Sequence, residues 1–458
     1  MEIYLLTDFG STYTKVMAVD ALAGKIVGFA KAFTTIEDDV SIGYENALNK
    51  LYAQTGQFTP MASLACSSAA GGLKMVSSGL VPDLTAKASR LAATSAGAKV
   101  MKTYSYELTE FEVEEIEAIK PDIVLLTGGI DGGNKKVILQ NAQVLATVKG
   151  NFFVIVAGNR SASGEARAIL EGAGKGVVVC ENVMPAFGKL NINPAKSAIR
   201  DLFIANIITA KGLDKIAAKM DMEIIPTPLA VYEACELLAD GTGDISGLGA
   251  LMAYDLGGAT SDVYSMADGS PKNTNTFVSG IKEPHAKRTV EGDVGMRYSQ
   301  QALFDLIAEQ DPSFATPDVL KWLEICKADP GVMPLGEYAQ YSEIDAQFAR
   351  YAIEISAKRH CGTTEAVFTP NGEMASQEGK DLTEVGVIIG SGGAVINAQD
   401  PKKILEGAIY SPADLNSLKP LNAKILLDKE NALAAMGLLS RKRPDIALKI
   451  MKDTFTQL

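Results

Sequence analysis

Residues 3–15 (IYLLTDFGSTYTK) and residues 251–263 (LMAYDLGGATSDV) repeat one pattern: an apolar strand, an aspartate, and a turn of small residues. In each segment the apolar run predicts a buried strand, and the glycine predicts a tight turn into a returning strand. Glycine lets backbone N–H groups approach a phosphate, and an aspartate at a strand end suits hydrated Mg²⁺. Two such turns would hold a triphosphate from both sides, so the repeat predicts a nucleotide-binding protein of two lobes.

The overall composition limits the possible classes of protein. A chain of 458 residues is longer than one compact core usually supports, so we expect at least two domains. The net charge of −12 disfavours a general nucleic-acid or anionic-membrane binder, because both need a basic surface. No apolar run is long enough to span a bilayer, and the N-terminal segment carries Glu2 and Asp8, unlike a signal peptide. We therefore expect a cytoplasmic protein.

The cysteines and histidines argue against a disulfide framework or a zinc site. The two histidines, His285 and His360, are too few for a three-histidine metal site, and neither has the pattern of a catalytic triad around it. We expect each to be a surface or core residue. Five scattered cysteines form no C-x-x-C pair, which predicts reduced, buried thiols: Cys66, Cys180, Cys235, Cys326 and Cys361.

Periodicity predicts the elements around the two aspartate turns. The first lobe should open with a meander of strands, unlike a Rossmann unit, in which a helix follows the glycine turn. These strands are expected at 3–8, 13–20 and 24–34. An inserted αβ layer is expected at about 61–180, with a strand at 61–66, helices at 82–98 and 107–119, and fully apolar parallel strands at 122–127 and 152–157. Further helices are expected at 196–219, 228–239, 299–310, 342–358 and 430–440.

Three glycine-rich segments separate these elements. The segment 241–249 predicts a boundary between a first lobe at 1–245 and a second lobe at 246–429, followed by a helical segment at 430–458 that closes the hinge. Residues 390–393 follow a buried strand expected at 385–389. Residues 128–134 (GGIDGGN) follow the strand at 122–127, where they could hold a ligand or a partner's backbone, or simply connect strand to helix.

At this point the chain resembles the actin-like ATPase superfamily, which includes sugar and acetate kinases, heat-shock chaperones and actin. Five segments carry the resemblance in the superfamily's order: a first phosphate motif at 8–12, a crossing helix at 225–234, a second phosphate motif at 255–263, an adenosine motif at 390–393 and a second crossing helix at 430–439. The resemblance implies an α/β fold of two lobes, each a ribonuclease-H-like domain, with an αβ insertion in the first.

A narrower resemblance is to the glutamate mutase accessory proteins (methylaspartate mutase component L). It rests on residues 283–297 (EPHAKRTVEGDVGMR), 66–73 (CSSAAGGL) and 126–134 (LTGGIDGGN). It implies an ATP-driven reactivating chaperone whose partners are the subunits of an adenosylcobalamin-dependent mutase, with no nucleic acid and no membrane. Neither His285 nor His360 stands in the Asp-x-His-x-x-Gly motif of the mutases, so we expect a protein that acts on a cobalamin enzyme without carrying that motif.

The phosphate side of the expected site follows from the two turns and from the resemblance. Asp8 and Asp255 are the candidates to hold Mg²⁺ through its waters, with strand-end capping as the alternative. By resemblance, Lys15 would reach the phosphates and Asp262 would order metal-bound water; a solvated lysine and a strand-edge carboxylate are the alternatives. The groups expected to bind ATP phosphates belong to Gly10, Ser11, Thr12 and Tyr13 and to Gly257, Gly258, Ala259 and Thr260.

The adenosine side is expected on the second lobe. Gly390, Ser391, Gly392 and Gly393 would let adenine and ribose approach the backbone. The cluster Lys287, Arg288, Glu291, Asp293 and Arg297 falls where the superfamily often contacts them, with a solvated face, or a partner contact by Lys287 or Arg288, as alternatives. The insert at 61–180 is the expected partner-binding part, because the nucleotide argument does not use it.

One departure predicts slow hydrolysis. Ile225 stands where the chaperones have an acidic residue that orients the attacking water, and Glu223 lies two residues further back. We expect a weak Mg²⁺-dependent ATPase unless Thr227, Asp262 or another residue substitutes. Two rival functions remain open: a small-molecule kinase, which needs an acidic base aimed at a substrate hydroxyl, and an actin-like filament or scaffold that binds ATP without useful turnover.

Overall fold

The computed structural model of the chain describes residues 1–10, 13–35, 39–68, 74–207, 213–370 and 372–458, with the side chains of 204–207 outside this description. The strands are β1 (Ile3–Phe9), β2 (Tyr13–Asp20), β3 (Lys25–Phe33), β4 (Ala62–Ser67), β5 (Lys74–Gly79), β6 (Lys99–Ser105), β7 (Ile123–Leu126), β8 (Phe153–Val156), β9 (Gly176–Val179), β10 (Ile225–Pro226), β11 (Leu251–Leu256), β12 (Ser261–Met266), β13 (Thr276–Val278), β14 (Ala286–Glu291), β15 (Thr363–Thr369), β16 (Gly372–Glu378), β17 (Val387–Ser391), β18 (Lys424–Leu427) and β19 (Thr456–Gln457).

The helices lie between these strands, some of them two or three in succession. They are α1 (Val40–Thr55), α2 (Lys87–Ser95), α3 (Glu110–Ile119), α4 (Lys136–Thr147), α5 (Arg160–Gly172), α6 (Asn193–Ile207), α7 (Leu213–Ala217), α8 (Thr227–Asp240), α9 (Gln300–Gln310), α10 (Pro317–Ala328), α11 (Ser342–His360), α12 (Gly393–Ile396), α13 (Pro401–Leu405), α14 (Leu433–Ser440) and α15 (Pro444–Thr454). Short 3-10 turns occupy Pro312–Phe314, Gly336–Tyr341 and Glu406–Ala408, and a π turn occupies Pro82–Ala86.

The chain divides into two compact units. The first contains Met1–Ala234 and Ala434–Ile450, and the second contains Cys235–Leu433 and Met451–Leu458. The chain passes from one unit to the other within helices α8, α14 and α15.

The main sheet of the first unit has the strand order β10-β4-β1-β2-β3. The β1–β2 and β2–β3 pairs are antiparallel, and β4 runs parallel to both β1 and β10. Every residue of β1 is buried, because this apolar run lies at the centre of the sheet. The predicted opening meander is therefore confirmed. The expected strand at 61–66 is present as β4, and it belongs to this main sheet.

The main sheet of the second unit repeats that design. Its order is β14-β12-β11-β17-β18-β19, so β18-β17-β11-β12-β14 corresponds strand for strand to β10-β4-β1-β2-β3. The β11–β12 and β12–β14 pairs are antiparallel, while β17 runs parallel to β11 and to β18. Two units with the same strand order and the same directions confirm the predicted fold: duplicated ribonuclease-H-like domains of the actin-like ATPase type.

The first unit also contains a separate sheet of five parallel strands in the order β6-β5-β7-β8-β9. Its central strands read IVLL and FVIV and bury nearly every side chain, as expected for a sheet covered on both faces. Helices α3, α4 and α5 supply the apolar side chains that cover one face. This is the αβ insertion that the sequence predicts, and we call it the inserted sheet. The small sheet β13-β16-β15 in the second unit was not foreseen.

Helices α8 and α14 contact each other closely in the first unit. A Cβ at Gly437 would lie 1.8 Å from the Ala230 carbonyl oxygen, so only glycine fits at that point of α14. Arg441 closes the contact with a two-bonded ion pair to Glu233, at 2.7 and 2.5 Å. The predicted small-residue helix at 430–440 therefore packs tightly against a neighbour, as its composition indicates.

Several element boundaries differ from the sequence predictions. Strand β17 continues through Ser391 because Gly390 and Ser391 pair with Tyr254 and Asp255 of β11, so these two residues do not form a turn after the strand. Helix α3 begins at Glu110, where the side chain of Thr109 caps it. The predicted helix at 196–219 is described as α6 and α7, with 208–212 outside the described residues. The sequence did not predict α1, α4, α5, α10, α12 or α13.

The cysteines are unpaired thiols, as expected. Burial raises the pKa of Cys66, Cys235 and Cys361, so these thiols stay protonated. Cys180 is only half-buried, so the expectation of burial is wrong for that residue. Among the described residues, no helix has both the length and the apolar character needed to cross a membrane.

The two histidines occupy a core and a surface position. His360 is fully buried, with its ring nitrogens 2.8 Å from Thr289 Oγ1 and 2.8 Å from Ser265 Oγ. His285 is exposed, and its Nε2 lies 3.2 Å from Asp240 Oδ1. Both placements confirm the predictions made from the sequence.

Candidate functional site

The two aspartate hairpins close in the same way, one in each unit. Gly10 N donates to Tyr13 O at 3.1 Å, and Gly257 N donates to Thr260 O at 2.9 Å. A Cβ at Gly10 would lie 2.7 Å from the Tyr13 oxygen, and one at Gly257 would lie 3.0 Å from the Thr260 oxygen, which explains the glycines. The predicted phosphate contacts Ser11 and Thr12 lie outside the described residues.

Asp8, at the end of β1, is held by three side chains from different parts of the first unit. Its Oδ1 accepts a hydrogen bond from Thr227 Oγ1 at 2.7 Å and lies 3.5 Å from Cys66 Sγ. Its Oδ2 lies 3.4 Å from Lys15 Nζ, directly across the β1–β2 pair. The carboxylate therefore has a fixed orientation.

Tyr13 begins β2, and its side chain faces an aromatic neighbour. Its ring stacks on Phe33 with the ring centroids 4.7 Å apart, and Lys31 Nζ lies 5.1 Å from the Tyr13 centroid. The Tyr13 ring is therefore packed against these two side chains, and only the Tyr13 backbone takes part in the hairpin turn.

Residues 297–299 support the second hairpin through hydrogen bonds to its backbone. Gly258 O accepts hydrogen bonds from Arg297 N at 2.8 Å and Tyr298 N at 2.9 Å, and Ala259 O accepts one from Ser299 Oγ at 2.6 Å. Gly258 and Ala259 are exposed, and within the described residues their N–H groups have no acceptor. The turn thus presents free N–H groups in a fixed loop, which suits an anion.

Asp262 lies opposite Asp255 across the β11–β12 pair. Its Oδ1 is 2.8 Å from Nε and 2.5 Å from Nη2 of the buried Arg288, and its Oδ2 is 3.5 Å from Thr260 Oγ1. Burial alone would lower the pKa of the Arg288 guanidinium, but the attraction of Asp262 outweighs it and the pKa is raised. Asp262 is therefore a fixed carboxylate in an ion pair, beside the turn.

Glu291 and Asp293, predicted on the adenosine side, both contact Arg359 at the end of α11. Arg359 binds Asp293 with two hydrogen bonds of 2.7 and 2.9 Å and Glu291 Oε2 with one of 2.9 Å. The hydrogen bonds from Arg359 lower the pKa of Asp293. Both carboxylates therefore belong to one charged cluster at the end of β14.

The other charged residues of this predicted cluster are also paired. Lys287 Nζ lies 2.6 Å from Glu283 Oε2 and donates to His360 O at 2.7 Å, and all three groups are buried. Arg297 binds both oxygens of Asp345, at 2.9 and 3.2 Å. These pairs hold the second unit together, so the alternative of a freely solvated charged face does not apply to Lys287 or Arg297.

The four residues at 390–393 have different surroundings. A Cβ at Gly390 would lie 2.5 Å from a Leu405 methyl, and one at Gly392 would lie 2.4 Å from Leu256 O. These two glycines are needed for packing inside the second unit. Ser391 is buried and donates to Asp428 at 3.1 Å. Gly393 alone of the four is exposed, at the start of the short helix α12.

The duplicated sheets also locate the counterpart of Ile225. In the first unit, Ile225 pairs with Cys66, and Cys66 pairs with Asp8. In the second unit, Ser391 takes the position of Cys66, since it pairs with Asp255 and donates a hydrogen bond to Asp428. The second unit thus has an aspartate where the first has a buried aliphatic residue. The Asp428 carboxylate already accepts hydrogen bonds from backbone N–H groups at the start of α14, so it acts as a helix cap.

Two interactions of the site were missed by sequence reasoning. The Thr227–Asp8 bond joins residues 219 positions apart, so no local pattern predicts it. The support of the second turn by residues 297–299 needs a glycine at 295, because a Cβ there would lie 2.5 Å from the Ala259 carbonyl carbon. In the described part of the chain, no group of three or more His, Cys, Asp or Glu side chains could hold a metal ion.

Comparison with known proteins adds the following matches. Residues 4–455 match the model of a family described as MutL protein. The chain is 43% identical over 457 residues to Protein MutL of Clostridium tetanomorphum, and the match covers 99% of each chain. Among solved structures, it is similar to nucleotide-free acetone carboxylase (TM-score 0.40, 11% identity, 96% of this chain and 70% of that chain) and to a glycerol dehydratase reactivase (TM-score 0.37, 10% identity, 97% and 100%). These TM-scores are too low to support any inference about function.

Proposed function

Since this chain belongs to the MutL protein family, the glutamate mutase accessory proteins that its sequence resembles, we propose that it is an ATP-dependent switch that reactivates an adenosylcobalamin-dependent mutase such as glutamate mutase. Its partners are then the mutase subunits, and its site of action is the cytoplasm. Mg²⁺-ATP, when bound, supplies the phosphoanhydride bond whose hydrolysis resets the switch.

The observation that carries the proposal is that one hairpin design occurs twice. In both units an aspartate is the second-last residue of the central strand, a glycine turn follows, and the same backbone hydrogen bond closes the turn. Gly10 and Gly257 leave no room for a side chain, so each turn presents bare backbone at that point. It is what a site for a charged phosphate chain requires.

The residues present fit a Mg²⁺-nucleotide. Asp8 and Asp255 would hold Mg²⁺ mainly through its waters, as Mg²⁺ prefers, so no cage of protein carboxylates is needed. The free N–H groups of Gly258 and Ala259 would bind phosphate oxygens, and Lys15, which lies 3.4 Å from Asp8, would add a positive charge beside the first turn. We assign the same role to the turn from Gly10 to Tyr13, and nucleoside contact to the exposed Gly393.

The surroundings of Asp8 favour slow hydrolysis. Ile225 is buried and offers no carboxylate to orient water, and the nearest polar group at the start of α8 is the Thr227 hydroxyl, which donates to Asp8. Asp262 is held by Arg288. A slow intrinsic turnover suits a protein that must remain in one state until its partner acts.

A reactivation assay tests this function. Glutamate mutase inactivated by turnover is incubated with the full chain, Mg²⁺-ATP and fresh adenosylcobalamin, and recovered mutase activity is measured. We expect recovery with ATP and the wild-type chain, and none with Asp8→Asn or Asp255→Asn. Asp20→Asn is the control, since Asp20 is a buried carboxylate on β2 that caps the turn at 20–23. Recovery that is the same without ATP would rule out the switch.

A further inference from the structure

The exposed apolar side chains of the inserted sheet collect at one edge. Tyr106 (61% exposed), Phe111 (79%), Ile130 (37%) and Phe187 (77%) follow β6, β7 and β9, on the side where these parallel strands end. The described loops that enter the strands, on the opposite side, expose no large apolar side chain. Met101 lies within the outer strand β6 itself. We call the four residues the aromatic edge.

Buried side chains hold the loops of the aromatic edge in one conformation. Asn159 donates through Nδ2 to the carbonyl groups of Gly133 (3.1 Å) and Asn134 (3.0 Å). Asn182 Nδ2 donates to Gly129 O at 3.0 Å. Both asparagines are buried although the loop they hold is exposed. A surface that is already ordered loses little entropy on binding, so this bracing favours association.

Tyr106 is fixed in the same manner. Its backbone has a φ of 67°, a left-handed conformation that is unfavourable for a tyrosine. The conformation is maintained by its N–H, which donates to Gly79 O at 3.0 Å, and by its carbonyl, which accepts from Asn141 Nδ2 at 3.0 Å. The neighbouring Leu108 N donates to Asn141 Oδ1 at 2.8 Å. The structure thus holds a strained residue in place and leaves its ring in solvent.

Charge indicates what kind of surface fits there. Glu107, Glu110 and Glu114 surround Phe111 in sequence, are exposed, and pair with no described cation. The same edge also carries exposed cations in the segments of Ile130 and Phe187, so only its part around Phe111 and Tyr106 is acidic: Lys135, Lys136, Arg160 and Lys189. The acidic surroundings of Phe111 and Tyr106 disfavour an anionic membrane or a phosphate-bearing ligand at that part of the edge.

From these features we propose that the aromatic edge docks a protein partner whose surface has an apolar pocket bordered by lysine or arginine. The inference rests on the proposed function, which names that partner as a subunit of the mutase. Phe111 and Tyr106 are the residues that enter the pocket, because aromatic side chains are enriched at the core of interfaces, where a few residues carry most of the binding energy. The glutamates raise the rate of association and make it sensitive to salt.

Binding to purified, immobilised glutamate mutase tests the proposal with the full chain. We expect Phe111→Ser and Tyr106→Asn each to weaken binding at least tenfold. Asparagine is chosen because it tolerates the left-handed backbone of Tyr106. Phe368→Ser, which removes an equally exposed phenylalanine from β15 in the second unit, is the matched control and should bind as wild type. Glu110→Lys combined with Glu114→Lys should weaken binding most at low salt.

The outcomes separate this proposal from the function on which it rests. If the wild-type chain binds the mutase and the Phe111 and Tyr106 variants bind it with the same affinity, the docking role of the aromatic edge is wrong. The proposed function is not affected by that result. If the wild-type chain does not bind the mutase, both fail together. Sedimentation of the chain alone that shows self-association lost in Phe111→Ser would assign the edge to a second copy, and that result also overturns the proposal.

Discussion

Replacing the buried Lys380 by methionine should change how the stability of the second unit depends on pH. Lys380 Nζ donates to His285 O at 2.6 Å and to Ser265 Oγ at 3.1 Å, in a site closed to solvent. Burial, with the nearby charge of Lys287, lowers the pKa of Lys380 from its ordinary value of 10.5 to about 7. Methionine has a similar length and no charge to bury.

The direction of the effect follows from proton binding. Between pH 7 and pH 10.5 the lysine is mostly neutral in the folded protein and mostly charged in the unfolded chain. The unfolded state therefore binds more protons, so the free energy of unfolding rises with pH over this range. At about 1.4 kcal/mol per pH unit, the full difference between 10.5 and about 7 corresponds to about 5 kcal/mol.

The assay uses the single tryptophan of the chain. Trp322 is fully buried in the core of the second unit, so its fluorescence during urea unfolding reports on the unit that contains Lys380. We expect wild type to gain stability relative to Lys380→Met, by a few kcal/mol, as the pH rises from 7 to 10. Lys424→Met removes an exposed lysine from the same unit and should show no such gain. Parallel curves for wild type and Lys380→Met would refute the reasoning.

Two further substitutions test the first unit. Gly437→Ala should lower the free energy of unfolding by several kcal/mol, because a Cβ would lie 1.8 Å from Ala230 O. The control Gly164→Ala, in an open position of α5, should raise the free energy of unfolding by up to about 1 kcal/mol. Thermal melting measures both changes, and equal effects would contradict the packing argument. Thr227→Val should cost about 1–3 kcal/mol by removing the hydrogen bond to Asp8, and it should slow phosphate release; a variant as stable and active as wild type would remove Thr227 from the site.

Local features of the chain were readable from the sequence. The apolar runs and glycines at 3–15 and 251–263 correctly indicated two hairpins, because strand and turn formation depend on neighbouring residues. The spacing of Asp8 and Lys15 correctly placed them on facing strands, where they lie 3.4 Å apart. The repeated motif predicted two lobes, and the resemblance to the actin-like ATPase superfamily implied the duplicated domains that the strand orders confirm.

Distant pairings were not readable in this way. Arg359, on a helix about 70 residues further along, contacts Glu291 and Asp293, and nothing in the local pattern of either segment indicates it. The same holds for Arg288 and Asp262, which are brought together by the register of β12 and β14. A Cβ at Gly390 or Gly392 would meet Leu405 or Leu256, so both glycines also have a packing role that the local pattern does not indicate, and their adenosine contact stays a prediction. Contacts between distant segments determine the roles of these residues, and the hydrophobic periodicity of a single segment does not predict such contacts.

The central claim is that both aspartate hairpins take part in binding a Mg²⁺-nucleotide. Calorimetric titration of the full chain with Mg²⁺ and a non-hydrolysable ATP analogue measures this directly, with Asp20→Asn as the control. We expect one analogue per chain, binding at least tenfold weaker in both Asp8→Asn and Asp255→Asn, and wild-type affinity in the control. Unchanged affinity in both hairpin variants would contradict the claim.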